Sequence, residues 1–342
     1  MVIVKTSGEI SPNLYMLDTM QFNVSHITTA FCYYDGENAL LMDVGTSDNV
    51  PTVLRALKKL KIPLKHLRGI TLTHYHFDHA GGVSKLWKKV SKKVPDFKIY
   101  TTKFTKEKLQ NAESHVVGAT STFNEFVGTM KPISDEFVND AYVLLDEENP
   151  KVDLTIPIDF SMGAKIKLVP TPGHCPDHVS PSIFFNSSTS PQFLFGGEAV
   201  GTFYHESELM SAATSMPPNF QYNLYMESLK KIQDLNPEIL GVCHYGAIKG
   251  KNAVKEYLED QTNYMQDLVI AIKKHYNENP SVRYIIEQLK KDRLHVNNRV
   301  GNRFVDNPTS NHFLSNLQLA LTYGILIDLG YRESKYEERV VK

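Results

Sequence analysis

Hydrophobic and polar positions along the first third of the chain follow the spacing of strands and helices in turn. Residues 28–44 hold two apolar, strand-like runs joined by Asp35-Gly36, a dipeptide typical of a tight hairpin turn. After Pro51 the apolar positions recur at helical spacing, and residues 69–73 again form a strand-like run. A second amphipathic pattern covers residues 83–90. This order of strand, helix, strand and helix predicts an α/β fold.

The second half of the chain repeats this order and then becomes helical. The pattern first gives three strand-like runs, at 166–170, 179–185 and 192–195. It then predicts a helix over 220–234 and a strand over 238–243. The segment between the two β-rich halves, about residues 102–150, is mostly helical by pattern and is predicted to be an insertion. Helical spacing covers 252–276, 282–291 and 313–329. We therefore predict a main domain over 1–250 and a helical C-terminal region over 251–342.

Composition narrows the classes of protein to which the chain can belong. Of its 342 residues, 42% are hydrophobic and 22% are charged, and the formal net charge at pH 7 is -1. This balance disfavours nucleic acid as a partner. No export signal is recognised and no apolar stretch approaches about 18 residues, so we expect neither export nor a membrane span. Three scattered cysteines fit a reducing compartment, and we predict a cytoplasmic location.

The most informative stretch is Thr73-His74-Tyr75-His76-Phe77-Asp78-His79, which directly follows a predicted strand. At a strand end His74 and His76 project to the same side, while a turn lets Asp78 and His79 face a second point nearby. Imidazoles suit zinc, iron, manganese or nickel, and a carboxylate among them suits a hydrolytic centre better than a closed structural site. This loop therefore predicts ligands for one or two metal ions.

Three more ionisable residues follow predicted strands later in the chain. His174 comes after Pro172-Gly173, Glu198 after Gly196-Gly197, and His244 after the strand over 238–243. A centre with one or two metal ions needs more ligands than one loop supplies. We therefore interpret these three residues as the remaining ligands.

The order His-x-His-x-Asp-His, Pro-Gly-His, Gly-Gly-acid and strand-end His resembles the metallo-β-lactamase superfamily over about residues 10–250. The resemblance implies an α/β, four-layer αββα sandwich with the metals at one edge between two sheets. Residues 1–250 would then be the catalytic domain and 251–342 a helical appendage. The implied ligands are His74, His76 and His174 for one metal ion, Asp78, His79 and His244 for a second, and Glu198 as the bridge. The superfamily usually has aspartate at the position of Glu198.

Further roles are predicted for residues beside these ligands. Asp78 would hold the second metal ion and orient the hydroxide, which makes it the predicted catalytic residue. His178 is predicted to contact either a metal ligand from behind or the substrate, and contacts with substrate are predicted for Tyr204 and Tyr245. The side chains of Cys175 and Cys243 should point away from those of the adjacent ligands, so we interpret both as small buried residues.

The chain also looks like a glyoxalase II-like hydrolase branch of this superfamily. That similarity implies two divalent metal ions, with zinc first and iron or manganese as alternatives. A metal-bound hydroxide would attack a small-molecule substrate, namely an ester, thioester or lactone. The sequence leaves open whether the chain forms a homodimer. Three other functions stay open as well: a mononuclear iron thiol or persulfide dioxygenase, a nuclease of the same superfamily, and an inactive binding protein on this fold.

Overall fold

Two seven-stranded sheets lie face to face in the computed structural model, which describes residues 2–131, 141–144, 154–186, 188–202, 210–299 and 308–334. The first sheet contains, in spatial order, β2 (Gly8–Ser11), β3 (Leu14–Asp18), β4 (Thr29–Tyr34), β5 (Ala39–Met42), β6 (Leu67–Thr71), β7 (Lys98–Thr101) and β8 (Tyr142–Leu144). Its strands are antiparallel from β2 to β5 and parallel from β5 to β8.

The second sheet contains, in spatial order, β1 (Val2–Val4), β14 (Gly246–Lys249), β13 (Ile239–Val242), β12 (Phe193–Phe195), β11 (Val179–Phe185), β10 (Ala164–Pro170) and β9 (Leu154–Thr155). Strands β12 and β13 are parallel, and the other neighbouring pairs are antiparallel. A parallel pair needs a crossover connection, which the helical pattern after residue 220 predicts.

Alternation along the strands divides the apolar side chains between two cores. In β4, Phe31 and Tyr33 face the opposite sheet, whereas Cys32 faces away from it. The ring of Phe31 lies 4.9 Å from that of Phe193 and 4.8 Å from that of Phe195, between ring centroids. Because successive side chains in a strand point to opposite faces, one sheet contributes both to the central core and to the core beneath the helices.

Nine helices accompany the sheets within the described ranges: α1 (Val50–Lys59), α2 (Phe77–Ala80), α3 (Val83–Val90), α4 (Lys103–Gln110), α5 (Glu113–Phe123), α6 (Tyr222–Leu235), α7 (Lys251–Glu278), α8 (Val282–Lys291) and α9 (Pro308–Asp328). Helix α1 packs against β3, and α7 packs against β13 and β14. Helices α1 and α6 link the parallel pairs β5–β6 and β12–β13. The predicted α/β sandwich with a C-terminal helical region is confirmed.

The segment predicted as a helical insertion contains both kinds of secondary structure. Helices α4 and α5 lie in it, but Tyr142–Leu144 forms β8 and extends the first sheet beside β7. A run of three apolar residues is too short for its pattern to separate strand from helix, and pairing with the sheet edge decides the outcome. The remaining residues of the segment from 132 to 140 and from 145 to 150 lie outside the described ranges.

Helix α9 touches both the insertion and the other C-terminal helices. It packs against α5, α7 and α8. Ser215 Oγ donates a hydrogen bond to the carbonyl of Leu321 at 2.9 Å, and a Cβ atom added to Gly324 would lie 1.8 Å from the carbonyl oxygen of Ser215. This helix therefore supports the loop at Ser215 through a close backbone contact. None of the helices within the described ranges is long and apolar enough to cross a membrane.

Candidate metal centre

Turns after five strands bring ionisable side chains together at one edge of the two sheets. Asp43 follows β5, the histidine-rich loop follows β6, and His174, Glu198 and His244 follow β10, β12 and β13. Most of these side chains are buried: His74 and His79 are 0% exposed, His174 is 1% exposed, and Glu198 is 7% exposed. Neighbouring parallel strands end at the same edge of a sheet, so the direction of the strands brings many of these ionisable side chains together.

One group of potential ligands consists of three histidines. His74, His76 and His174 present ring nitrogens that lie within 4.8 Å of one another. His174 Nε2 is 3.0 Å from His76 Nδ1. The ring of His74 stands nearly perpendicular to those of both His76 and His174. Three imidazole nitrogens that converge from different directions can bind one cation.

A second group lies beside the first and mixes imidazoles with carboxylates. Ligand atoms of His79, Glu198, Cys243 and His244 lie within 4.8 Å of one another. Asp78 Oδ2 is 3.5 Å from the Nε2 atoms of both His79 and His244. The side chains that the sequence assigned to a second metal ion are thus brought together, and the structure adds the sulfur of Cys243 to their surroundings.

The carboxylate of Glu198 belongs to the second group and also lies beside the first. Its Oε1 atom is 2.9 Å from His244 Nε2 and 3.6 Å from His79 Nε2, and its Oε2 atom is 3.6 Å from His174 Nδ1. The preceding Gly197 has a φ of +52°, and a Cβ atom there would lie 2.6 Å from His178 Nε2. Glycine therefore allows the turn to pack closely on His178, and the glutamate side chain extends from the second group to the ring of His174.

Hydrogen bonds fix the orientation of four of the imidazole rings. Thr73 Oγ1 donates to Asp43 Oδ2 at 2.7 Å, so it accepts from His74 Nδ1 at 3.0 Å. His79 Nδ1 lies 3.1 Å from the same Asp43 oxygen. His174 Nδ1 donates to the Thr214 carbonyl at 2.5 Å, and His244 Nδ1 donates to the Ile27 carbonyl at 2.9 Å. Each of these rings therefore turns its Nε2 atom toward the other potential ligand atoms.

Two buried ring nitrogens indicate whether a cation fits at this site. His74 Nε2 and His79 Nε2 are buried and have no hydrogen-bond partner among the described residues. Buried polar atoms normally have a partner, so these two ring nitrogens, which lie beside carboxylates, are positioned to bind a cation. Imidazole and carboxylate donors are also the set that zinc, iron and manganese accept. The residues present therefore fit divalent metal ions.

The charge states of these side chains follow from their surroundings. Burial lowers the pKa of His74 and of His76 well below the usual value, and neighbouring histidines lower it further. Burial also lowers the pKa of His79, but Asp78, Asp43 and Glu198 outweigh it and raise that pKa well above its usual value. Burial raises the pKa of Glu198, yet His174, His244 and His79 bring it well below the usual range. The rings of His74 and His76 are thus neutral beside an ionised carboxylate, whereas the acids around His79 favour the protonated form of that ring.

Two side chains that the sequence reasoning did not select belong to this arrangement. Asp43 is 0% exposed and contacts His79 directly and His74 through Thr73. It directly follows an apolar strand, which is the signal that selected Glu198. His115 stacks on His76 with a centroid distance of 5.2 Å, and its Nε2 accepts the Phe77 N–H at 3.2 Å. It lies within α5, where no motif distinguishes it.

Two of the three residues predicted to contact substrate are buried and contact other parts of the protein instead. His178 is 1% exposed and accepts the Glu198 N–H at 3.1 Å, so it packs behind the ligands rather than facing an open space. Tyr245 is 0% exposed, and its hydroxyl lies 2.9 Å from Ser7 Oγ. Both were selected by proximity in sequence, which does not give side-chain direction. Tyr204 lies outside the described residues.

The two cysteines beside the ligands also differ from each other. Cys175 is buried, as predicted, and it belongs to neither group of potential ligands in the described part of the chain. Cys243 is buried too, but its sulfur lies among the ligand atoms of the second group. Burial raises the pKa of the Cys243 thiol well above its usual value, and Glu198, Asp78 and Asp43 raise it further. This thiol is therefore protonated beside the carboxylates.

Comparisons with known proteins agree with this geometry. The family model described as the metallo-beta-lactamase superfamily matches residues 26–244. A metallo-beta-lactamase fold-containing protein of Sulfurisphaera tokodaii is 27% identical over 237 residues, which cover 68% of this chain and 78% of that protein. A beta-lactamase-like protein 2 homolog of Caenorhabditis elegans is 26% identical over 252 residues, or 72% of this chain and 66% of that protein. The chain thus spans just under two thirds of the worm relative.

Solved structures show the same fold. A crystal structure of an archaeal metallo-beta-lactamase superfamily protein from Sulfolobus tokodaii has a TM-score of 0.55 and 21% identity, covering 76% of this chain and 87% of that one. A stereoselective inverting sec-alkylsulfatase of Pseudomonas sp. has a TM-score of 0.59 and 15% identity, covering 93% of this chain and 50% of that one. The latter similarity extends over nearly all of this chain.

Proposed function

Because the chain belongs to the metallo-β-lactamase superfamily, we propose that it is a hydrolase that holds two divalent metal ions and cleaves a small ester, thioester or lactone. The observation that carries the proposal is the presence of two adjacent groups of ligand atoms, with the carboxylate of Glu198 in the second group and 3.6 Å from the His174 ring of the first. A centre for a single iron ion needs only one such group, so this arrangement favours the hydrolase over the dioxygenase.

The residues of the site have different roles in the proposed reaction. His74, His76 and His174 would hold one ion, and Asp78, His79 and His244 would hold the other, with Glu198 shared. When bound, two such ions lower the pKa of a coordinated water and polarise the carbonyl oxygen of an ester. Asp78 lines the open space beside the ligands, where its carboxylate can accept a hydrogen bond from the attacking water. Asp43 and His115 act through the rings that they contact, as positioning residues.

Metal content is the first test of this proposal. We expect about two equivalents of zinc or manganese per chain by elemental mass spectrometry on untagged protein. His76→Ala removes one of three donors and should lower the content to about one equivalent. Glu198→Asp shortens the side chain that carries the shared carboxylate by one methylene. One of the two equivalents of metal should therefore become removable by mild chelation. His66→Ala, which changes a histidine outside both groups, serves as the matched control.

The same preparations then report on the reaction. We expect the two-metal protein to hydrolyse esters, thioesters or lactones, and His76→Ala to lose most of this activity. One equivalent of iron in the wild-type protein, with oxidation of thiols and no ester cleavage, would overturn the hydrolase proposal. No bound metal after reconstitution would overturn it as well and would leave a binding protein on this fold.

A further inference from the structure

A cavity opens beside the candidate metal centre, between α5 and α9. At one end it is lined by His76, Asp78, Glu198 and His244, which are the residues proposed to hold metal. Its walls are contributed by the insertion on one side and by the C-terminal helical region on the other. The two helices that enclose it are in direct contact. A molecule in this cavity would therefore lie between parts of the chain that are far apart in sequence, with one end at the centre.

The walls that α5 and α9 contribute to the cavity are mainly apolar. Phe123 of α5 stacks on Phe313 of α9 with a centroid distance of 5.6 Å. Leu317 and Leu321 continue the same face of α9 at helical spacing, and Phe77 lies beside the ligands. These five side chains are each less than 10% exposed, so they are ordered by packing before any ligand arrives. A preformed apolar surface of this kind favours aliphatic or aromatic groups.

The charges around the cavity exclude one class of substrate. Among the described residues that line it, none is lysine or arginine, and the acidic residues are Asp78 and Glu198 of the centre itself. A carboxylate, phosphate or sulfate placed away from the metal ions would find no cationic partner on these walls. Burying an unpaired charge is costly, so the lining disfavours an anionic tail. An uncharged tail meets no such penalty.

We propose that the substrate is an uncharged carboxylic ester whose aliphatic acyl chain lies between α5 and α9, with its carbonyl group at the metal centre. This inference rests on the proposed function and adds the class of substrate to it. Hydrolysis consumes one water molecule and releases a fatty acid and an alcohol. Ala119 is a small residue on the α5 wall, so the space beside it is available to the acyl chain.

The test uses p-nitrophenyl esters of acyl chains with two, four, six, eight and ten carbons, and the metal-loaded full chain. Burial of one methylene contributes about 0.8 kcal/mol, so kcat/KM should rise up to roughly fourfold per carbon until the cavity is filled. Ala119→Trp fills the space and should lower the ratio of the ten-carbon to the two-carbon rate at least tenfold. Leu317→Ala enlarges the cavity and should move the optimum to longer chains.

Val117→Trp is the matched control, because Val117 lies on the same helix and is 56% exposed. A binding measurement separates the chain pocket from the chemistry. The ketone 2-undecanone, which cannot be hydrolysed, should displace the neutral dye N-phenyl-1-naphthylamine from wild-type protein and from Val117→Trp, but much less from Ala119→Trp. This readout does not depend on turnover.

The outcomes distinguish the two proposals. Turnover with a flat or falling dependence on chain length in all variants, without displacement by the ketone, would overturn the acyl-chain inference alone. No turnover of any ester, thioester or lactone by protein with two bound metal ions would overturn the proposed function and the inference together, whereas turnover of thioesters or lactones but of no ester would overturn the inference alone. A rising dependence that Ala119→Trp abolishes and Val117→Trp preserves is the result that we expect.

Discussion

Asp43 connects two of the metal-facing rings through one buried carboxylate. It accepts hydrogen bonds from the Thr73 backbone N–H at 2.8 Å and from the Thr73 hydroxyl, and it contacts His79 Nδ1. The carboxylate thus fixes the tautomer of His79 directly and that of His74 through the hydroxyl. Groups of this kind orient metal ligands and make them more basic, although they never touch the ion.

Replacing Asp43 with asparagine should weaken metal binding by about 10–100-fold, because an amide cannot accept from both partners with the strength of a carboxylate. The measurement is competition with a chromophoric chelator. Asp96→Asn, at an exposed position, is the control. Unchanged metal affinity in Asp43→Asn would contradict the positioning role.

The ligand residues were predictable individually because each follows an apolar run, as Glu198 and His244 do. Asp43 carries the same signal after β5 and could have been found with it. Which of its two predicted contacts His178 makes, and the contacts of Tyr245, could not be predicted, since the direction of these side chains depends on packing between distant strands. The place of His115 was also beyond prediction, because its stacking on His76 arises only when α5 folds over the loop.

Helices α7 and α8 are joined by an ionic cluster around His275. Its Nε2 lies 2.6 Å from Asp292 Oδ2, its Nδ1 lies 3.0 Å from Glu278 Oε2, and the Tyr284 hydroxyl donates to the same Glu278 oxygen. Burial lowers the pKa of His275, but hydrogen bonds to Asp292 and Glu278 outweigh this and raise it above its usual value. The charged imidazole therefore stabilises this helix pair.

The raised pKa makes a prediction about stability and pH. A group whose pKa is higher in the folded state contributes fully below its unfolded pKa, about 6.5 for histidine, and loses its contribution as pH rises through the folded value. The difference in unfolding free energy between wild type and His275→Gln should thus be larger at pH 6 than at pH 9. Urea titrations at both pH values measure it, and equal differences would refute the role of the cluster.

The contact between α9 and the Ser215 loop makes a second prediction for a helix. Gly324→Ala places a methyl group against backbone, and we expect it to lower the unfolding free energy by about 1–3 kcal/mol although alanine favours helix. Metal affinity should fall as well, since the neighbouring Thr214 carbonyl holds His174. Thermal unfolding and chelator competition measure the two effects. Leu319→Ala, at a 40% exposed position of the same helix, is the control.

Helices and strands with a strong hydrophobic periodicity were predictable from the sequence. Short strands that form only by pairing with a neighbouring strand were not. The predicted strand over 179–185 and the predicted helix over 282–291 match β11 and α8. The three strands before residue 19 were not predicted, because β1 has only three residues and β2 and β3 are short and mix polar with apolar residues. Such strands depend on a neighbouring strand more than on their own composition.

The two halves of the molecule meet at the candidate centre, which makes the fold and the metal ions interdependent. The first sheet supplies the histidine-rich loop, and the second supplies His174, Glu198 and His244. Hydrophobic periodicity predicted both halves, and the strand-end ligands predicted where they meet. The cavity between α5 and α9 depends on contacts between segments distant in sequence, which periodicity does not record.

Metal removal should therefore destabilise the whole molecule. A ligand that binds only the folded state adds about 2.7 kcal/mol at a concentration one hundred times its dissociation constant. We expect dialysis against dipicolinate to lower the melting temperature and zinc to restore it. Calorimetry with a zinc titration measures this shift. A melting temperature that is the same with and without metal would contradict binding across the two halves.

The contact of Ser215 with Leu321 also has a consequence for synthesis on the ribosome. Every proposed ligand lies at or before His244, so all of them are translated before α9. At 5–20 residues per second, roughly 4–15 seconds separate His244 from Leu321. During that interval the loop that holds His174 lacks its support from α9, and the apolar cavity lacks one wall. Metal loading and substrate selection should thus mature late, after the helical region has docked.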